Sequence, residues 1–195
     1  MHIPLPRSGC ALAHLTRLAA AGLLALGLAL PAASQGPGFA SPAPSANASR
    51  PLGDEAREWV EDLAQAHLAA IATGRIALDK AQHAQVSSFA QQMIDEHTLA
   101  LQELQQLGQA KQMSLPRDVD FQHKAIASAL RLLTGQTFDR QYIRQAGIKD
   151  HRRSVDLLQQ VQAGADPELK ALAGRQLPVM QRHLARAREI DRALQ

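Results

Sequence analysis

Four histidines, His67, His97, His151 and His183, are the residues of this chain best placed to do chemistry. Each recurs with apolar residues at the three-four spacing of a helix stripe, and each falls near the middle of a different long helical segment. Mid-helix residues of antiparallel rods share one layer whichever way the chain runs, so the four imidazoles can meet in one core. Imidazole is a common ligand for zinc, copper and iron. Met180 stands one turn before His183 and Met93 one turn before His97, and thioethers beside imidazoles favour Cu(I) over a hard cation. Glu96 borders the stripe of its helix and Asp150 precedes His151; either can serve as a ligand or as a partner that orients an imidazole. The candidate metal ligands are therefore His97, His151, His183 and His67, with Glu96, Asp150 and Met180 as secondary ligands and copper or zinc as the ion. Against this stands a plainer reading, in which buried histidines hydrogen-bond a neighbour and methionines fill gaps.

The elements that must carry these residues are helices. Ala, Leu, Gln, Arg and Glu dominate from Asp54 onward, and all are strong helix formers. Alternating runs of Val, Ile and Thr are absent, which argues against a sheet. Helix 1 is predicted over 54–80, with Asp54 as N-cap, acidic residues in its first turn and a stripe through Leu63, His67, Ile71, Gly74 and Leu78. The second is predicted over 85–110, with Val86, Phe89, Met93, His97, Leu101, Leu104 and Leu107 on one face. Leu115-Pro116 breaks the pattern. A shorter helix follows over 118–134, ended by Gly135. The fourth spans 138–163, with Ile143, Gly147, His151, Val155 and Leu158 on its stripe. Asp166 caps the fifth, over 167–194, and Pro167 takes its first position, where a missing N–H costs nothing. Its stripe runs Leu169, Leu172, Gln176, Met180, His183, Ala187, Ile190. Pro178 lies inside it, and a kink is expected between Gly174 and Pro178. Four long helices with one long connection predict an all-α, ferritin-like antiparallel four-helix bundle with an additional short helix in the crossover.

The first 34 residues read as a secretory signal. Arg7 and Arg17 supply positive charge without a nearby acid, and Leu18 to Leu30 is an apolar run of 13 residues. That is shorter than the roughly 20 needed to span a bilayer, and the small residues Ala32-Ala33-Ser34 place cleavage after Ser34. Residues 35–53, rich in Pro, Gly, Ala and Ser, form a flexible spacer, and 54–195 form the bundle domain. The expected location is the periplasm or the exterior, with no transmembrane segment in the mature chain. The lone Cys10 leaves with the signal, so the mature chain has neither disulfide nor thiol chemistry. Arg7 and Arg17 leave too, which lowers the formal charge from +3 to +1. A nearly neutral domain gives no footing for nucleic-acid binding. Hydrophobic residues make up 46% but aromatics only 3%, so Ala and Leu must fill the core.

Enzyme signatures are missing. There is no GxSxG, no phosphate loop and no HExxH. A di-iron carboxylate site wants two Glu-x-x-His motifs, and none occurs. Asp139 and Tyr142, one turn apart, read as a local hydrogen bond or cap rather than an acid–base pair.

Several stretches resemble the bacterial family called domain of unknown function 4142, placed among ferritin-like proteins. They are FAQQMIDEH (Phe89 to His97), Leu115-Pro116, GQTFDRQY (Gly135 to Tyr142), KDH (Lys149 to His151) and LPVMQRHLARA (Leu177 to Ala187), and they span Trp59 to Ile190 in order. The resemblance implies an exported helical bundle with no established activity. It maps the family's recurrent histidines to His97, His151 and His183 and leaves His67 outside them. Where the family often has a Glu in helix 1, this chain has Ala70. The expectation is thus a non-enzymatic periplasmic binding or stress-related module. The alternative is a periplasmic copper or zinc protein built on the histidine layer, and an iron oxidase comes last.

Overall fold

In the computed structural model, residues 51–195 are described; the expected signal segment and the spacer up to residue 50 lie outside them. The described residues are all-α, with no strand. The elements are α1 (Asp54–Lys80), α2 (Ala84–Ala110), α3 (Phe121–Arg131), α4 (Gly135–Tyr142), a π-helical stretch (Ile143–Asp150), α5 (His151–Ala163) and α6 (Pro167–Ala193). Because α4, the π stretch and α5 follow without a break, they make one long rod. None of these helices is long and apolar enough to cross a membrane.

The helix ends follow local chemistry, with some shifts from expectation. Asp166 accepts from the N–H groups of Glu168 and Leu169, both at 3.0 Å, ahead of Pro167, which satisfies donors that have no partner inside the helix. Asp120 caps α3 through the His123 N–H at 2.8 Å, so this helix is shorter than its periodicity predicts. At α1 the cap position is Gly53, and Asp54 instead opens the first turn beside Glu55, where the helix dipole favours negative charge. Gly135, expected to close the short helix, opens α4 with φ +61°, a left-handed conformation that a side chain would strain. Leu52, expected in the spacer, is buried against the core. α6 continues through Pro178.

Facing pairs give the directions of the rods. Along α1 and α2, Gly74 lies against Ala90 and Ile94, while His67 meets His97, so the two are antiparallel. Gln176 and His183 of α6 meet Ala100 and Glu96 of α2 in reverse order, and Gly147 and His151 meet Ala187 and His183 likewise. By contrast, α2 and the fourth rod rise together, since Phe89 lies by Gly147 and His97 by His151. The connection between them must therefore travel back along the bundle, and it carries α3, which packs on α1 and α4.

Two apolar clusters fill the bundle. One gathers Val86, Phe89, Met93, Tyr142, Ile143 and Ile190. The other gathers Leu63, Leu101, Leu104, Leu158, Leu172 and Met180. Burying each such side chain contributes about 1.5–3 kcal/mol before entropy is counted. On α2, the fourth rod and α6 the histidine sits between the two clusters in sequence, whereas on α1 His67 lies within the second, between Leu63 and Ile71.

Candidate metal centre

His67, His97, His151 and His183 come from α1, α2, the start of α5 and α6, and each is only 1–2% exposed. The layer expected from the stripes therefore forms. Its rings stand 5.2 to 5.5 Å apart between centroids along the contacts His67–His97, His97–His151, His97–His183 and His151–His183. Gly147 makes this approach feasible: a Cβ there would lie 2.8 Å from the Cβ of Ala187, so only glycine lets α6 pack so close to the π stretch, one turn from His151.

Each ring is held from outside the layer. His151 Nδ1–H donates to the carbonyl oxygen of Ala146 at 2.7 Å. Ala146 lies in the π-helical stretch, a widened turn of the kind that recurs at functional sites. His183 Nε2–H donates to Glu96 Oε2 at 2.8 Å. Glu96 also accepts from Gln92 at 2.8 Å. Burial pushes the Glu96 carboxyl up, but the bonds from Gln92 and His183 outweigh it and hold the group below its ordinary value, hence ionised. His67 Nε2 faces Gln176 Oε1 at 3.2 Å, and its Nδ1 faces His97 Nδ1 at 3.0 Å.

Burial also fixes the charge of the layer. Desolvation pulls His67 and His151 down to about 4. His97 falls well below its usual value, first through burial and then through its imidazole neighbours. For His183, burial outweighs the raising influence of Glu96. At neutral pH all four rings are uncharged, and each carries a single N–H.

For His151 and His183 that one proton is already placed. Their remaining nitrogens, His151 Nε2 and His183 Nδ1, face each other at 3.3 Å with no proton of their own between them. His97 Nε2 stands 3.2 Å from His151 Nε2. One ring nitrogen from each of His97, His151 and His183 lies within 4.8 Å of the other two. Nitrogens bound to one ion at about 2.0–2.1 Å and tetrahedral angles stand about 3.3–3.4 Å apart, so two of the three spacings already match. A buried face of converging lone pairs is what a cation satisfies.

The remaining sequence candidates divide. Glu96 is brought to the layer as the partner of His183. His67 is brought to it as well, but its nitrogens face His97 Nδ1 and Gln176 rather than the inner face. Asp150 goes elsewhere: it accepts from Gln145 at 3.0 Å and lines a surface cavity of about 460 Å³ with Asp62, Asp120 and His123. Burial raises its carboxyl. Met180 and Met93 are buried in the two apolar clusters on either side of the layer. Asp139 makes no local bond to Tyr142: its carboxylate reaches across the fold and accepts from the N–H groups of Gln82 and His83, in the turn between α1 and α2, at 3.2 and 2.9 Å. Tyr142 is fully buried beside Phe138 and Phe89, and its hydroxyl has no hydrogen-bond partner among the described residues. Sequence reasoning put Gln176 on a stripe without giving it a role. A polar residue on a buried stripe was the available signal.

The family model for domain of unknown function DUF4142 matches residues 41–190. The chain belongs to the DUF4142 family. Among curated proteins, none matches it. A similar solved structure is the crystal structure of a DUF305 fragment from Deinococcus radiodurans, with a TM-score of 0.64 and 16% identity over 72% of this chain and 97% of that one. At that identity the likeness concerns the fold alone. The histidine layer of this DUF4142 chain is thus read from its own geometry.

Proposed function

We propose that this DUF4142 chain is an exported, periplasmic metal-binding module that holds one copper or zinc ion on His97, His151 and His183, and that it is a binding protein rather than an enzyme. One observation carries the reading. His151 Nε2 and His183 Nδ1 meet at 3.3 Å after Ala146 and Glu96 have claimed the protons of both rings. Outer partners that fix ring orientation and raise ligand basicity are the usual companions of metal-bound imidazoles. An all-nitrogen inner set suits copper and zinc better than hard cations. It also lacks the carboxylates that a di-iron oxidase requires. The single long connection carrying α3 supports a ferritin-like connectivity. The apolar run ahead of Ala32-Ala33-Ser34 supports export.

The test is metal content. Purified protein should take up one Zn(II) or copper ion per chain, and His151→Ala should lose that uptake while remaining helical. A specific observation favours a second reading: Gln176, His67, His97 and His151 also form an unbroken line of contacts at 3.0–3.2 Å. In that reading the layer only satisfies buried polar groups and fixes the register of the rods. Absence of stoichiometric binding for either metal would leave that reading standing.

A further inference from the structure

His97 is the one ring of the inner set whose proton has two candidate places. Its Nδ1 faces His67 at 3.0 Å and its Nε2 faces His151 at 3.2 Å. If the proton sits on Nε2, it points into the inner face and occupies the third ligand position. If it sits on Nδ1, that position is bare. The contacts of His67 on the outer side bear on the choice.

Gln176 is 3% exposed, and its amide is oriented by two acceptors. Its Nε2 donates to the Ala100 carbonyl at 3.1 Å and to Glu103 Oε2 at 3.2 Å. Glu103 is in turn held by Arg175, whose Nε donates to Oε1 at 2.6 Å. With both amide hydrogens committed, Gln176 can offer His67 only its oxygen. His67 must then carry its proton on Nε2, at 3.2 Å from that oxygen. A neutral His67 with a proton on Nε2 has a bare Nδ1. The 3.0 Å contact between His67 Nδ1 and His97 Nδ1 is then a hydrogen bond only if His97 donates. Either placement pairs His97 on one side only: on Nδ1 its proton makes the shorter contact, 3.0 Å against 3.2 Å, and the unpaired nitrogens are then left together on the inner face rather than between His67 and His97.

We propose that Gln176, acting through His67, is a positioning residue that keeps the His97 proton on Nδ1 and so leaves a third bare nitrogen on the inner face. His67, expected to be a fourth ligand, is by this account an orienting partner of His97, as Glu96 is of His183 and the Ala146 carbonyl is of His151. All three inner imidazoles then share one arrangement, with the proton outward and the lone pair inward. The part concerning affinity rests on the metal reading above; the part concerning the proton does not.

The experiment is long-range proton–nitrogen NMR of the histidine rings in the metal-free chain, followed by Zn(II) titration. Wild type should show His97 protonated at Nδ1 and His67 at Nε2. Gln176→Leu removes the acceptor, so the His97 proton should move to Nε2 and zinc affinity should fall about 10- to 100-fold, the range of lost outer-shell partners. A wild-type His97 protonated at Nε2 overturns the proposal whether or not any variant folds, and so does a Gln176→Leu protein with unchanged tautomers. Wild-type tautomers as stated, with no zinc uptake, would sink the metal reading and leave this one intact.

Discussion

Lys111 and the histidine layer are both polar and both buried, yet one closes on itself and the other does not. The Lys111 side chain is shut away from solvent at the end of α2. Its ammonium lies 2.8 Å from Asp166 and also against Glu168, and Asp166 uses its other oxygen to cap α6. Burial pushes the Lys111 ammonium down, but the two carboxylates outweigh it and hold it above its ordinary value. Every charge there has an opposite neighbour, so nothing further is needed. In the histidine layer the four rings are neutral, the protons of His151 and His183 point outward to the Ala146 carbonyl and Glu96, and the inward nitrogens face one another. A closed cluster of this kind serves structure; under the proposed function the open one serves a metal ion.

The sharpest way to break that contrast is to remove an inner nitrogen. His151→Ala should abolish stoichiometric copper or zinc uptake, measured by metal analysis after gel filtration, while the fold survives because the opposing clusters remain packed. Retained uptake would mean the ion binds elsewhere. Next in size, Lys111→Met should lower unfolding free energy by about 2–4 kcal/mol in urea. That lies at or below the range for a broken buried pair, because Asp166 and Glu168 both reach solvent. It should leave metal affinity alone, since 14 residues of helix, about 21 Å, separate it from His97.

Acid separates the two clusters without mutation. His67 and His151 titrate near 4 in the folded chain, against about 6.5 when unfolded. Between those values the unfolded chain binds more protons, so the layer's contribution to stability is present above 6.5 and is lost as pH falls towards 4. Asp166 is lowered, chiefly because Lys111 outweighs its burial, so its contribution holds above the unfolded value of about 3.9. Lys111 is raised, so its share is complete below about 10.4. Thermal midpoints of the metal-free protein should therefore fall from pH 7 to pH 4.5, with the same slope in Lys111→Met. A flat profile would mean the imidazoles are not buried neutral. The smallest effect belongs to Glu96→Gln, which keeps an acceptor for His183 but removes its charge. Zinc affinity should weaken about tenfold, at the lower limit for outer-shell partners.

Helical periodicity carried most of the fold. α1 spans the residues its stripe and acidic first turn predict, and α2 and α6 differ by one residue at one end. The layer was legible because mid-helix positions of antiparallel rods must coincide. What periodicity reports, however, is which side of a helix faces inward, not how a ring turns about its torsions or what waits on the next rod. Hence His67 read as the equal of His97, though it faces Gln176 instead of the inner face. Asp150 read as a neighbour of the layer, though adjacent residues on a helix point about 100° apart. The π stretch ahead of His151 went unread, because Ile143, Gly147 and His151 recur at four-residue intervals that fit an α-helical stripe as well as a wider turn.

The most direct test of the account is X-ray absorption of the zinc- or copper-loaded protein. The account predicts a first shell of three imidazole nitrogens at about 2.0 Å, reduced or replaced in His183→Ala. A shell of oxygen alone, or one unchanged by that substitution, would contradict it.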